Sequence, residues 1–340
     1  MFDPRNILVI DFGQLGDVVL SLPALKAIRE KFPAARITVA VGKPGAQIIE
    51  LSGYANAVLV VDRVALRDGP KLVSLTRIIQ LVKNVRRARF DFVIDLHSLS
   101  ETNLLGFFSG APKRLYSRRP GRSLNYLANF SPPPPTEDSS KHSTERYLDV
   151  VLPLGIKNVP PVPRLETRRP DNQVIEKLLK KEKADTGAPL VGLFPGSGHP
   201  GRRWPLDRFA KLADFLSRNE GARVIVFAGP EENDMVRQIR SQFPPSTIIL
   251  DKLTISQLAS AQARLAVFVS NDTGPMHIAA AVGTSVVMLS DRPTPNSFVP
   301  KEKRHRVVYG NRVGELSVEE VYAVTCEVLA GRRTEALFSR

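Results

Sequence analysis

The feature that most constrains this fold is an apolar run cut off by turn residues and followed at once by a helix, a glycine and another apolar run. Residues 264–289 read RLAVFVSNDTGPMHIAAAVGTSVVML. Residues 266–270 have the length and composition of a buried strand. Asn271, Asp272, Thr273 and Gly274 break it. Either Asp272 or Thr273 suits the N-cap, and Pro275 suits the first turn of a helix over 276–282. Gly283 ends the helix and 285–289 is the next strand. A strand, helix and strand in so few residues imply a parallel pair with a crossover. The loop then lies at the carboxyl edge of the sheet, where open α/β folds bind ligands. A helix N-terminus at that edge favours an anion such as phosphate. The same residues would also serve as a plain cap, with His277 in the core.

The pattern repeats along the chain. Strand-like runs at 6–11, 36–41, 58–61, 90–96 and 114–116 alternate with helical spacing at 18–31, 44–51, 72–87 and 104–109, and a helix follows over 141–154. A second series has helices at 171–183, 205–218, 231–243 and 255–263, strands at 190–194, 223–228 and 247–250, and a closing helix at 318–329. Segment 118–140 carries Arg118, Arg119 and Arg122, then prolines 132 to 135; it reads as a mobile surface loop. Prolines 160, 161 and 163 mark a linker. At 340 residues, two domains are expected, 1–165 and 166–340. Both are α/β, Rossmann-like and doubly wound, and are expected to face each other across a cleft.

Charge narrows the partners. Forty-eight Lys and Arg against 34 Asp and Glu give a net charge of +14, which favours an anionic partner. With no zinc-finger spacing and no aromatic-rich RNA signature, nucleic acid is not expected, and a phosphorylated substrate or an anionic membrane fits better. Cys326 is the only cysteine, which excludes an intrachain disulfide and fits a reducing cytoplasm. The first apolar run soon meets Asp11 and Asp17 and reads as a strand rather than a signal peptide. No apolar stretch is long enough to span a bilayer, so any membrane contact is expected to be peripheral.

Four turns could carry chemistry. The first, Asp11-Phe12-Gly13-Gln14-Leu15-Gly16-Asp17, lacks a full dinucleotide fingerprint. Asp17 at the helix opening either complements the helix dipole or acts as a general base. In the second, over 194–205, Gly196, Gly198 and Gly201 permit close backbone approach. Ser197 there offers a hydroxyl, and Arg202 and Arg203 offer forked donors for phosphate oxygens. In the third, Glu231 or Glu232 could accept ribose hydroxyls or simply start a helix. In the fourth, Leu253 could cover a base or belong to the core. His277 has no spaced His or Cys to share a metal, and no Asp-x-Asp triplet is present, so no metal and no cofactor is expected.

These motifs together resemble glycosyltransferase family 9, the ADP-heptose:lipopolysaccharide heptosyltransferases. The resemblance rests on Gly16-Asp17, on Pro195-Gly196-Ser197 with Arg203-Trp204-Pro205, and on the run from Ser270 to His277; His142 to Tyr147 also matches the family's helix before the linker. It implies a GT-B architecture, with acceptor on the N-terminal domain and ADP-sugar on the C-terminal one, and a metal-independent, inverting transfer. Asp17 would be the base. Ser197, Arg202 and Arg203 would bind diphosphate, Glu231 or Glu232 the ribose, Leu253 the adenine, and Asp272, Thr273, Gly274 and His277 the phosphates and sugar. Gly16, Arg118, Arg119 and Arg122 would meet a phosphorylated, lipid-linked saccharide, with the basic loop towards an anionic inner membrane. Two departures stand out: Arg202 where family members often have Lys, and Glu101 where they often have a basic residue. A catalytically silent nucleotide-sugar binder, or a member using another nucleotide sugar, is the alternative.

Overall fold

The computed structural model describes residues 2–63, 65, 70–121, 123–291 and 298–338. The chain divides into two compact units, Met1–Arg164 and Leu165–Arg340.

In the first unit, β1 (Asn6–Asp11), β2 (Arg36–Gly42), β3 (Ala57–Val61), β4 (Phe92–Asp95) and β5 (Lys113–Tyr116) form one parallel sheet in the order β3-β2-β1-β4-β5. The helices are α1 (Leu15–Lys31), α2 (Ala46–Ser52), α3 (Lys71–Arg87), α4 (Ser100–Phe108) and α5 (Ser143–Val151). β1 is buried between its neighbours, with Ile7 opposite Ile37 on β2 and Phe92 on β4. Leu8 and Ile10 share a core with Val85 of α3 and Leu105 of α4.

The second unit holds β6 (Leu190–Phe194), β7 (Arg223–Phe227), β8 (Ile248–Leu250), β9 (Val267–Asn271), β10 (Ser285–Ser290) and β11 (Arg306–Tyr309), parallel, in the order β11-β10-β9-β6-β7-β8. Its helices are α6 (Arg169–Lys181), α7 (Leu206–Asn219), α8 (Asn233–Gln242), α9 (Ile255–Gln262), α10 (Gly274–Ala281) and α11 (Val318–Phe338). Strand alternation divides the apolar residues between two cores. Val224 and Val226 of β7 join α7, α8 and α11 on one face. Ile225 and Phe227 join α6, α9 and α10 on the other.

Both sheets reverse direction beside their first strand. The chain moves outward from β1 to β3 and then returns to β4 on β1's other side; it does the same from β6 to β8 and back to β9. The loops after β1 and β4, and those after β6 and β9, therefore diverge and leave a crevice at each carboxyl edge.

The expected elements form, with shifted ends. α1 starts at Leu15, so Asp17 is its third residue rather than a residue preceding it, and α10 starts at Gly274. β11 was not expected: it opens on an exposed arginine and only Val308 is buried. α11 continues past Leu329 to Phe338. Segment 118–140 is irregular but not loose. Leu124 N–H donates to Asn103 Oδ1 at 2.8 Å, Glu137 N–H donates to the Arg118 carbonyl at 2.9 Å, and Arg118 bridges Thr136.

Asp95, wholly buried at the end of β4, organises this side of the unit. Its carboxylate accepts from the amides of His97 (3.1 Å) and Ser98 (2.7 Å) and from Asn103 Nδ2 (2.7 Å). Asn103 in turn holds Leu124. Burial outweighs these donors and raises the Asp95 pKa to about 7. The folded chain therefore keeps a proton that the unfolded chain releases, so this group's contribution to stability falls as pH rises from about 4 to about 7. Asp95→Asn should remove that slope, which amounts to about 2–4 kcal/mol across the window. Denaturant unfolding of both proteins at a series of pH values measures it.

Candidate active site

The first crevice gathers groups from β1, α1, β4 and α5. Asp11 ends β1, and its Oδ1 accepts the Gly13 amide at 2.9 Å and lies 3.8 Å from His97 Nδ1. Its Oδ2 is buried with no hydrogen-bond partner among the described residues. The turn is tight: a Cβ on Gly13 would sit 2.4 Å from Asp17 Cβ and 3.0 Å from Asp11 Oδ1, so only glycine fits. Asp17 Oδ2 accepts the Gln14 amide at 2.9 Å, a helix-start bond, and leaves Oδ1 to other partners. The helix-start bond thus occupies only one oxygen of the carboxylate.

Burial raises the Asp17 pKa above the usual aspartate value. The Gln14 amide lowers it, the Asp11 charge raises it again, and His97 and Arg146 lower it. Arg146 reaches this region because α5 packs on α1. Its guanidinium is held by Glu137 Oε1 at 2.7 Å and by Ser143 Oγ. The same Glu137 takes Arg119 Nε on its other oxygen at 3.3 Å. Tyr147, next along α5, is buried; burial and then the charges of Asp11 and Asp17 push its phenol well above the usual value.

Of the residues expected to meet an acceptor, Gly16 lies in the first turn of α1 and Arg119 is tied to Glu137. Arg118 is exposed, and Arg122 lies outside the described residues. Arg114, at the start of the basic loop, turns inward: it donates to the carbonyls of Leu127 and Ala111 and covers the Phe107 ring. Glu101 pairs with Arg63 at 3.6 Å, and Arg63 also donates to the Phe12 carbonyl. Sequence reasoning named Asp17 but missed His97, Arg146, Tyr147 and Glu137 as neighbours. The available signal was His97 directly after a strand that pairs with β1.

The second crevice is closed by one side chain. Asn271, fully buried at the end of β9, accepts the Trp204 amide on Oδ1 at 3.0 Å. Its Nδ2 donates to the carbonyls of Pro195 (3.0 Å) and Gly196 (3.2 Å). The loop after β6 is thereby fixed to the loop after β9. Trp204 anchors the far end, with its indole N–H on the Leu316 carbonyl at 2.9 Å and its ring edge-on to Phe209.

Within this frame Ser197 is buried, and Arg203 spends two donors on the Ser197 carbonyl at 3.1 and 2.9 Å. Arg203 therefore shapes the loop, while Arg202 is exposed and makes no ion pair among the described residues. Thr273 is the N-cap of α10, Asp272 and Gly274 flank it half-buried, and His277 is buried one turn along. Glu232, buried, accepts the Gly229 amide at 2.9 Å and lies over Gly196, where a Cβ would be 2.2 Å from its Oε1. Burial raises its pKa and the Gly229 amide lowers it. Glu231 is exposed. Leu253 is half-buried and packs on the core beside α9. The loops after β6, β7 and β9 thus bring Ser197, Glu232 and the α10 N-terminus to one edge. A cavity of about 540 Å³ lined by Glu176, Lys180 and Arg264 lies at the opposite, amino edge and is not part of this arrangement. Among the described residues, no three His, Cys, Asp or Glu side chains gather closely enough to hold a metal ion.

A family model described as Glycosyltransferase family 9 (heptosyltransferase) matches residues 78–322. The chain belongs to glycosyltransferase family 9. It is 23% identical over 281 residues to Lipopolysaccharide heptosyltransferase 3 of Escherichia coli, covering 81% of this chain and 80% of that one. A solved family 9 glycosyltransferase from Veillonella parvula superposes with TM-score 0.84 at 23% identity, covering 97% of this chain and 98% of that one. E. coli ADP-heptose lps heptosyltransferase II gives TM-score 0.79 at 20% identity, covering 97% and 100%. The fold class is therefore GT-B, with two Rossmann-like domains, and the chain is a glycosyltransferase.

The Asn271 clamp is open to test in this glycosyltransferase. Asn271→Ala leaves a buried amide and two carbonyls without their partner and should cost about 2–4 kcal/mol. Calorimetry should read this as a melting temperature lower by roughly 5–15 °C. Asn271→Asp keeps the Trp204 acceptor but turns a second acceptor oxygen towards the Pro195 and Gly196 carbonyls, so it should cost at least as much as the alanine.

Proposed function

We propose that this glycosyltransferase moves a heptose from ADP-heptose to a lipopolysaccharide inner-core acceptor, with Asp17 as the general base. The observation that carries the reading is the Asp17 carboxylate: capped through one oxygen, with the other left over, and raised in pKa by burial. A base that holds protons more tightly than a free aspartate takes one more readily from an attacking hydroxyl. Gly13 allows the turn that positions it. In the proposed reaction the acceptor oxygen attacks the anomeric carbon, its proton passes to Asp17, and ADP departs with the bonding pair, inverting the sugar.

The donor belongs to the C-terminal unit. The α10 N-terminus, Ser197 and Arg202 take the diphosphate, with Asp272, Thr273, Gly274 and His277 around the phosphates and sugar. Arg203 supports them by holding the Ser197 carbonyl. Glu232 rather than Glu231 takes the ribose, because Glu232 stands over the β6 loop. Leu253 flanks the adenine. Negative charge developing on ADP is met by fixed amide dipoles and one guanidinium, without a metal ion. Arg118, Arg119 and Arg122 serve a phosphorylated, lipid-linked saccharide at the cytoplasmic face of the inner membrane. Names of relatives such as E. coli ADP-heptose lps heptosyltransferase II support the donor and acceptor classes.

Asp17→Ala should lower kcat by about 10²–10⁴-fold while ADP-heptose still raises the melting temperature; turnover within a few-fold of wild type removes the base assignment. Asp11→Asn removes the neighbouring charge that raises Asp17, so the acid limb of the pH–rate profile should move to lower pH. Transfer should persist in EDTA. A panel of nucleotide sugars in the melting assay identifies the donor, and stabilisation by a different nucleotide sugar alone would replace ADP-heptose.

A further inference from the structure

The N-terminal unit exposes apolar side chains on two adjacent helices. On α3, Leu72 is 79% and Leu75 54% exposed, and Ile79 is also exposed. Their spacing of three and four residues places them on one face, and Lys83 and Arg86 continue the same face towards the C-terminus. The opposite side packs on the core only in the C-terminal half, through Val85 with Leu81 and Val82; in the N-terminal half Ser74 bonds the Ala65 carbonyl, and Val73 and Ile78 are exposed as well. α4 packs beside α3 and exposes Leu104, Phe107 and Phe108, again on one face. Single exposed apolar residues are ordinary, but two adjoining helix faces of this kind are not.

We propose that the α3–α4 face docks on an anionic lipid bilayer, with Leu72, Leu75, Ile79 and the α4 residues entering the interface while Lys83 and Arg86 reach the headgroups. Charge selects this occupant. Lys83 and Arg86 are exposed and make no ion pair among the described residues, and the chain carries +14 overall. A second copy of the chain would bring like charge to the face, whereas anionic headgroups supply the opposite charge. Lysine and arginine stems lie along apolar surface with their heads in the phosphate layer, and a helix with one apolar face lies in the plane of the bilayer. No helix among the described residues is long and apolar enough to cross a membrane, so contact at this face is peripheral. The basic loop at 114–122 is a poorer choice, because Arg114 and Arg119 are already bonded within the unit.

The inference stands apart from the donor and acceptor assignments, and its test uses no substrate. The full chain is sedimented with vesicles of phosphatidylcholine alone and of phosphatidylcholine with phosphatidylglycerol. Binding is expected to the anionic vesicles only and to weaken with salt. Leu72→Gln with Leu75→Gln should lower partitioning on the order of tenfold or more, with the melting temperature unchanged. Lys83→Gln with Arg86→Gln should lower it on the order of tenfold and flatten the salt dependence. Wild-type chain left in the supernatant with both vesicles, or both variants sedimenting like wild type, overturns the proposal. So does light scattering that finds a dimer which the double Leu variant turns into a monomer, since the face would then be an interface between copies.

Discussion

Everything in the C-terminal unit depends on the carboxamide of Asn271. A parallel sheet leaves its carboxyl edge ragged, because the loops on either side of the strand reversal run in opposite directions. Asn271 uses its acceptor on one end of the β6 loop and its donors on the other, from a position wholly buried at the end of β9. Three partners would otherwise lie unsatisfied away from water, so the bond set is costly to break and holds one geometry. Trp204 extends the fixation to the core, and Glu232 fills the space above Gly196. A rigid edge matters for an anion site, since fixed amides do not have to be reorganised when charge develops.

The N-terminal unit solves a different problem. It buries carboxylates, which water would otherwise solvate, at the same strand reversal. Asp95 is surrounded by donors yet is still raised by burial, and Asp17 is raised by burial and by Asp11 despite the Gln14 amide, His97 and Arg146. The two acids serve different ends. Asp95 organises a loop through Asn103, whereas Asp17 keeps an oxygen uncommitted.

Much of this was legible in the sequence because apolar runs and turn residues are local signals. The strands around Ile7 and Val269, the Gly13 turn and the break at Asp272 and Thr273 could be read directly. The start of α1 was misplaced by a few residues because Leu15 carries no mark of its own and the capping carboxylate, Asp17, comes further along, whereas the α10 start was marked by Thr273 at the N-cap and Pro275 in the first turn. β11 escaped because it is short, opens on an exposed arginine and buries only Val308, which leaves no clear apolar run to read. The sequence pointed to Asp17 but not to its surroundings: His97 and Arg146 reach it only through the strand order and through α5 packing on α1. Arg203 looked like a free cation, yet two of its donors are spent on the Ser197 carbonyl, and Arg114 beside the basic loop is likewise spent on backbone carbonyls. A formal charge in a sequence does not say whether its donors are available.

Glu137 carries a consequence of its own. One carboxylate already neutralises parts of two guanidiniums, so an anion arriving at Arg119 meets an occupied counter-ion rather than a vacant cation. Binding there is an exchange of one anion for another. The released Glu137 would still hold Arg146, and through that shared acid the arrival of a guest at the rim is felt beside Asp17.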